Sequence, residues 1–182
     1  MHILDKIINK YQTNNDRYIG EKVTMTEHMI QTAMLAEQDH SSKTLICACL
    51  LHDYGHFIIE DPDQLVLNSV DGKHENIAFN FLKKYFKLEV VEPIKLHVQA
   101  KRYLCRNKSY WNILSEASKV SLKLQGGIMS DNEAKKFVSL KFHKDAILLR
   151  KYDEEGKIPN IKMKKIEDYR NLISSQLIQY TI

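Results

Sequence analysis

His28, the adjacent pair His52 and Asp53, His74, His97 and Asp153 place metal-binding side chains in five separated segments of the chain. Imidazole nitrogens and carboxylate oxygens without a thiolate suit iron, manganese or zinc, and open positions on ions so bound favour non-haem iron chemistry. The adjacent histidine and aspartate suit a pair of ions: the imidazole binds one, and the two oxygens of the neighbouring carboxylate can bridge both. Any one of these histidines alone reads as an ordinary polar or helix-end residue. The ordered series, with donors enough for two ions, reads as a dinuclear metal centre and hence as an enzyme.

Helices must carry these residues. Apolar residues recur at intervals of three and four almost throughout, and alternating β-branched runs bounded by turn residues are missing, so the predicted fold is all-α. Thr24 and Glu27 form a T-x-x-E capping box opening a helix to about Ala36, with His28 in its first turns. Ser41 or Ser42 caps the next helix, which runs through CACLLHDY and is stopped by Gly55 just past His52 and Asp53. The stretch DPDQLVLNSVDGK reads as a loop, after which His74 starts the helix HENIAFNFLKKYF. Pro93 suits the first turn of a helix carrying His97 and Lys101 on one face. Further helices are expected from Ser115 to Gln125, from Ser130 (capped with Glu133) to about Leu140, from Lys144 to Glu155 and from Lys164 to Gln179.

A chain of 182 residues, 43% hydrophobic and without a Pro/Gly/Ser-rich linker, is enough for one domain with a sizeable core. A single domain over 1–182 is expected, a helical bundle with its metal-binding core at about 18–157 and a C-terminal helix at about 164–179. MHILDKIINK lacks the apolar run of a signal peptide, and no apolar stretch is long enough to span a membrane, which predicts a cytoplasmic protein. Cys47, Cys49 and Cys105 have no CxxC spacing and read as buried free thiols. The net charge of +4 attracts anions modestly, but the run Lys162 to Lys165 reads as a solvated helix face. No aromatic and basic interleaving supports a nucleic-acid partner.

The neighbours of the ligands suggest what the centre acts on. Lys101 follows His97 by one helical turn, Arg150 precedes Asp153 by three residues, and Ser118, Ser121 and Gln125 fall on one face of a helix ending in LQGG. Lysine, arginine and hydroxyls beside metal ions describe a pocket for a phosphate-like group.

Six segments carry a resemblance, in order from Tyr18 to Lys157: YIGE, TEHMIQTA, LLHDYGH, HVQAKRYLC, LSEASKVSLKLQGG and LLRKYDEEGK. In them the chain resembles the HD-domain mixed-valent diiron oxygenases that break carbon–phosphorus bonds. HD motifs are shared with hydrolases, whereas YIGE with HVQAKRYLC and SLKLQGG is a narrower combination. Residue by residue, the resemblance implies that His28, His52 and Asp153 hold one iron and His74 and His97 the other, with Asp53 bridging an Fe(II)/Fe(III) pair that uses O2 as co-substrate. It implies that Tyr18, held near Glu21, caps an iron until substrate arrives. It also implies that His56, Lys101, Ser118, Ser121 and Arg150 hold the phosphonate, with Gln125 a further contact, and that His56 and Lys101 take part in catalysis. The departures from the pattern, Ile128 for proline, Tyr152 for tryptophan and Ser121 for threonine, remove no ligand.

The function so implied is oxidative cleavage of a small 1-hydroxyphosphonate, such as 2-amino-1-hydroxyethylphosphonate, to phosphate and glycine or an analogous carboxylate. The rival is a metal-dependent phosphohydrolase acting on a nucleotide or other phosphate ester, since the same ligands can activate water. A third reading, a catalytically dead helical binding module, requires lost ligands, and none is lost.

Overall fold

The computed structural model describes residues 2–18, 20–59 and 72–178. Among them there is no strand, only two isolated bridges, Arg17 with Thr24 and Phe86 with Leu177, so the fold is all-α.

Side-chain caps set most helix starts. Helix α1 (Ile3–Thr13) begins after His2, whose ring accepts from the Leu4 amide. Helix α2 (Met25–Gln38) opens on the expected box: the Thr24 hydroxyl accepts from the Glu27 amide at 3.1 Å, and the Glu27 carboxylate accepts from the Thr24 amide at 2.7 Å. Ser42, not Ser41, caps α3 (Lys43–Leu51). That helix ends before His52, and Gly55 lies inside the 3-10 turn Tyr54–Phe57 that follows rather than acting as a helix stop. Its requirement is spatial: a Cβ on Gly55 would run into the backbone carbonyl of His74.

Helix α4 (His74–Leu82) starts at His74 as expected. Most of the loop predicted at 61–73 lies outside the described residues. Helix α5 (Leu88–Leu104) begins five residues before Pro93, which therefore sits in its second turn and not its first. The earlier start buries Val90, Val91 and Ile94 in the core, which offsets the one hydrogen bond that Pro93 cannot donate. Helices α6 (Lys108–Ile113), α7 (Glu116–Leu124, capped by Ser115), α8 (Asp131–Val138, boxed by Ser130 and Glu133) and α9 (His143–Glu155) follow. The C-terminal helix expected over 164–179 is shorter. A 3-10 turn Ile166–Tyr169 leads into α10 (Arg170–Ser175), and the Ile178 amide then donates to the Tyr85 carbonyl, pulling the chain into the Phe86 bridge and ending the helix.

The core lies among α2, α3, α4, α5 and α9, with α5 packed on α9, α4 and α3, and α2 packed on α3 and α9. Met29, Leu50, Leu51, Leu82, Ile94 and Leu149 are fully enclosed there. Each such side chain contributes roughly 1.5–3 kcal/mol of burial, which fixes the five helices that carry the predicted ligands. Cys47, Cys49 and Cys105 are buried free thiols. No helix among the described residues is long and apolar enough to cross a membrane.

Candidate metal centre

The core brings together the six predicted ligands. His28 projects from α2, His52 and Asp53 from the end of α3, His74 from the first position of α4, His97 from α5 and Asp153 from α9. They fall into two buried groups of metal-donor atoms, His28 with His52 and Asp153, and Asp53 with His74 and His97.

The hydrogen bonds of the rings determine what their inner nitrogens offer. Nδ1 of His28 donates to the Gly156 carbonyl at 2.9 Å, Nδ1 of His52 to the Cys49 carbonyl at 2.8 Å and Nδ1 of His97 to the Ile94 carbonyl at 2.7 Å. A carbonyl only accepts, so these Nδ1 atoms carry a proton, and in the neutral ring each Nε2 is the nitrogen left to bind a metal. His28 Nε2 and His52 Nε2 then face each other at 3.2 Å, an arrangement that calls for positive charge between them. His74 Nε2 and His97 Nε2 are 3.1 Å apart. Two donors bonded to one ion at about 2.1 Å stand roughly 3.0–3.4 Å apart, so both pairs have the spacing of ligands sharing an ion.

Asp53 stands between the groups. Its Oδ2 is 3.6 Å from His28 Nε2 and 3.4 Å from His52 Nε2, while its Oδ1 is 3.2 Å from His74 Nε2 and 3.7 Å from His97 Nε2. Asp153 Oδ1 completes the first group, 3.3 Å from His28 Nε2 and 3.9 Å from His52 Nε2. Oδ1 of Asp53 and Oδ1 of Asp153 are buried without a hydrogen-bond partner among the described residues. Burial alone would raise both carboxyls, yet His52 and His74 hold Asp53, and Arg150 and the histidines hold Asp153, well below the usual carboxylate range. Against the cost of burial, the same two charges lift His52 to about 8. Buried, ionised carboxylate oxygens beside inward-facing ring nitrogens are the donor set of a divalent or trivalent cation, so the residues fit one metal ion in each group.

Cations gather next to Asp153. Arg150, 2% exposed, bonds Asp153 through Nη1 and Glu154 through Nη2, and Nη2 also donates to Ser118 Oγ at 3.3 Å. Lys101 Nζ donates to Ser121 Oγ at 2.9 Å, and burial, with Arg150 close by, lowers its ammonium to about 7. An arriving anion favours the charged form of such a lysine. His56 stacks on His74 at 4.3 Å and is held down to about 3, by burial first and then by His74. Tyr18, partly buried, stacks on His28 with ring centroids 4.4 Å apart, and burial with Asp53 and Asp153 nearby raises its phenol well above its ordinary value. The Glu21 amide donates to the Tyr18 carbonyl, placing Glu21 beside it. Gln125 lies at the C-cap of α7 with Oε1 enclosed and unbonded among the described residues.

Two residues of this cluster, Glu154 and Lys157, were not picked out from sequence. Glu154 accepts from the Ser115 amide at 2.7 Å, from Ser118 Oγ at 2.9 Å, from Arg150 and from Lys157, whose Nζ also reaches Ser118 Oγ at 3.1 Å. Glu154, four residues after Arg150, shares its helical phase, which is the available signal for it; Lys157 lies beyond the end of α9 and has no such signal.

Residues 25–138 match the HD domain family. Hydroxymethylphosphonate dioxygenase of Gimesia maris is 40% identical over 168 residues, covering 91% of this chain and 84% of that protein. The glycine-betaine-forming 1-hydroxy-2-(trimethylamino)ethylphosphonate dioxygenase of Leisingera caerulea is 42% identical over 144 residues, covering 79% and 74% respectively. An uncharacterized protein of Acanthamoeba polyphaga mimivirus is 37% identical over 182 residues, covering 98% and 83%.

Proposed function

The chain belongs to the HD-domain family, and we propose that it is an iron- and oxygen-dependent oxygenase that cleaves the carbon–phosphorus bond of a small 1-hydroxyphosphonate. The observation that carries this reading is the Asp53 carboxylate, divided between two inward-facing histidine groups, with buried Arg150 bonded to Asp153 of the first group and buried Lys101 one turn after His97 of the second. The similarity to two phosphonate dioxygenases over most of the chain favours oxidation over hydrolysis.

His28, His52 and Asp153 would hold one iron, His74 and His97 the other, and Asp53 both. The iron pair, when bound, supplies the oxidation by O2. The protein supplies binding and orientation. Arg150, Lys101, Ser118, Ser121, His56 and Gln125 would receive the phosphonate oxygens, and the charges of buried Arg150 and Lys101 would offset the substrate dianion. Hydroxyphosphonate plus one O2 balances to a carboxylic acid plus phosphate, with no further reductant. Glycine is the product if the substrate is 2-amino-1-hydroxyethylphosphonate.

The decisive experiment measures phosphate release from hydroxymethylphosphonate and from 2-amino-1-hydroxyethylphosphonate by iron-loaded protein, with and without oxygen. Release that needs oxygen is the expected result. Release from phosphate esters under anaerobiosis, with none from the phosphonates, would establish a hydrolase instead. Lys101→Ala should raise KM for the phosphonate about tenfold or more while leaving metal content unchanged, because a charge-assisted contact to an anion contributes on the order of 1.5–3 kcal/mol. Unaltered KM would remove Lys101 from the pocket. Tyr18→Phe should keep its iron but consume oxygen several-fold faster without substrate, as read by an oxygen electrode, if the phenol closes an iron position at rest. Equal uptake by the two proteins would count against that capping role.

A further inference from the structure

One side chain joins the cation pocket to the Tyr18 segment. Lys157, just beyond α9 and with a side chain only 8% exposed, has Nζ at 3.2 Å from Glu21 Oε1 and 3.3 Å from Glu154 Oε2. The same Nζ lies 3.1 Å from Ser118 Oγ, 3.4 Å from Ser115 Oγ and 5.7 Å from the centroid of the Tyr18 ring. The ammonium donates to Ser115 Oγ, Ser118 Oγ and Glu154 Oε2, while Glu21 Oε1, buried without a hydrogen bond among the described residues, is held by charge alone, so these contacts can be redistributed at small cost. Arg150 is committed to Asp153 and Glu154, and Lys101 to Ser121; among the described residues neither forms an ion pair with Glu21.

Glu21 is in turn tied to Tyr18. Its amide donates to the Tyr18 carbonyl at 2.9 Å, and the Tyr18 amide donates to the Val23 carbonyl at 3.0 Å. Gly20, with φ of +79°, lies so close to Ala117 of α7 that no side chain fits between them. A pull on Glu21 by Lys157 is thereby a pull that keeps the Tyr18 ring flat against His28.

We propose, resting on the reading that a phosphonate binds at Ser118 and Arg150, that Lys157 is a positioning residue which couples arrival of the phosphonate to release of Tyr18 from His28. Two electrostatic effects act in the same direction. A dianion at Ser118 offers Lys157 a stronger acceptor than a single carboxylate, and it repels Glu21, which loses its counter-charge as Lys157 turns away. The Tyr18 segment then loosens only when substrate is present. Lys157 thus serves as the sensor, and Tyr18 as what it controls.

The test is hydrogen exchange at the Tyr18 and Glu21 amides of iron-loaded protein under strict anaerobiosis, with and without saturating hydroxymethylphosphonate. In the wild type, phosphonate should speed exchange about tenfold, the size of effect expected when a charge-assisted contact is lost. Lys157→Met should exchange at the fast rate already and show no response, whereas Lys157→Arg should restore slow exchange and the response. Glu21→Gln attacks the same pair from the other side and should behave like Lys157→Met, so the test survives if one variant fails to fold. Exchange in both Lys157→Met and Glu21→Gln equal to the wild type would overturn the coupling, as would wild-type amides indifferent to phosphonate. Oxygen-dependent phosphate release, measured on the same wild-type sample, separates the two levels: its loss with the exchange response intact sinks the oxygenase reading and leaves the coupling standing.

Discussion

Asp53→Ala is expected to empty both metal positions and to lower phosphonate turnover by well over 100-fold, beyond the roughly 10–100-fold that loss of an outer partner costs a metal site. Oδ2 faces the His28 and His52 group and Oδ1 the His74 and His97 group, and among the described residues Asp53 is the one carboxylate within 4 Å of histidines of both. The contrast is His97→Ala, which removes a donor from the second group alone and should leave the first ion bound. Neither substitution touches the packing of Met29, Leu50 and Leu149, so the helical circular dichroism should persist. Metal analysis decides the matter: a fully loaded Asp53→Ala protein would show that the carboxylate does not bridge.

Gly55→Ala should damage the protein from a position that binds nothing. The new Cβ would occupy the place of the His74 carbonyl, and because backbone cannot rotate away as a side chain can, α4 must move. Overpacking of this kind costs about 3 kcal/mol, which for a chain of this size is a fall in Tm of roughly 6–12 °C. His74 stands at the first position of α4, so its Nε2 is carried away from Asp53 and the second ion should bind at least about tenfold more weakly. Calorimetric unfolding and metal titration read the two effects separately, and wild-type values in both would mean that α4 does not rest on Gly55.

The contrast between Thr24 and Gly55 explains how much could be read in advance. Thr24 with Glu27, Ser42, Ser115 and Ser130 with Glu133 announce helix starts because a cap is a bond between residues three apart, visible in any sequence window. The six histidines and aspartates that the core gathers into two groups were legible as a set for a related reason: few other roles require histidine and aspartate in that order. Gly55 was misread because its partner, His74, comes from a different helix, and Pro93 because Val90 and Val91 reveal their burial only when α5 packs on its neighbours. Glu154 and Lys157 went unremarked for the same cause. Their meaning lies in Ser115, Ser118 and Glu21, which are brought to them by the fold.

The bond from His28 Nδ1 to the carbonyl of Gly156 spans 128 residues, and Gln31 makes a reciprocal pair with the backbone of Ile158 alongside it. As the chain leaves the ribosome, five of the six ligands emerge long before the sixth, and the carbonyl that sets the tautomer of His28 comes later still. The site therefore closes last. A metal held by Asp153 together with His28 and His52 would tie α9 to α2 and α3, so docking of α9 onto α2 and α5 and assembly of the site would be one event.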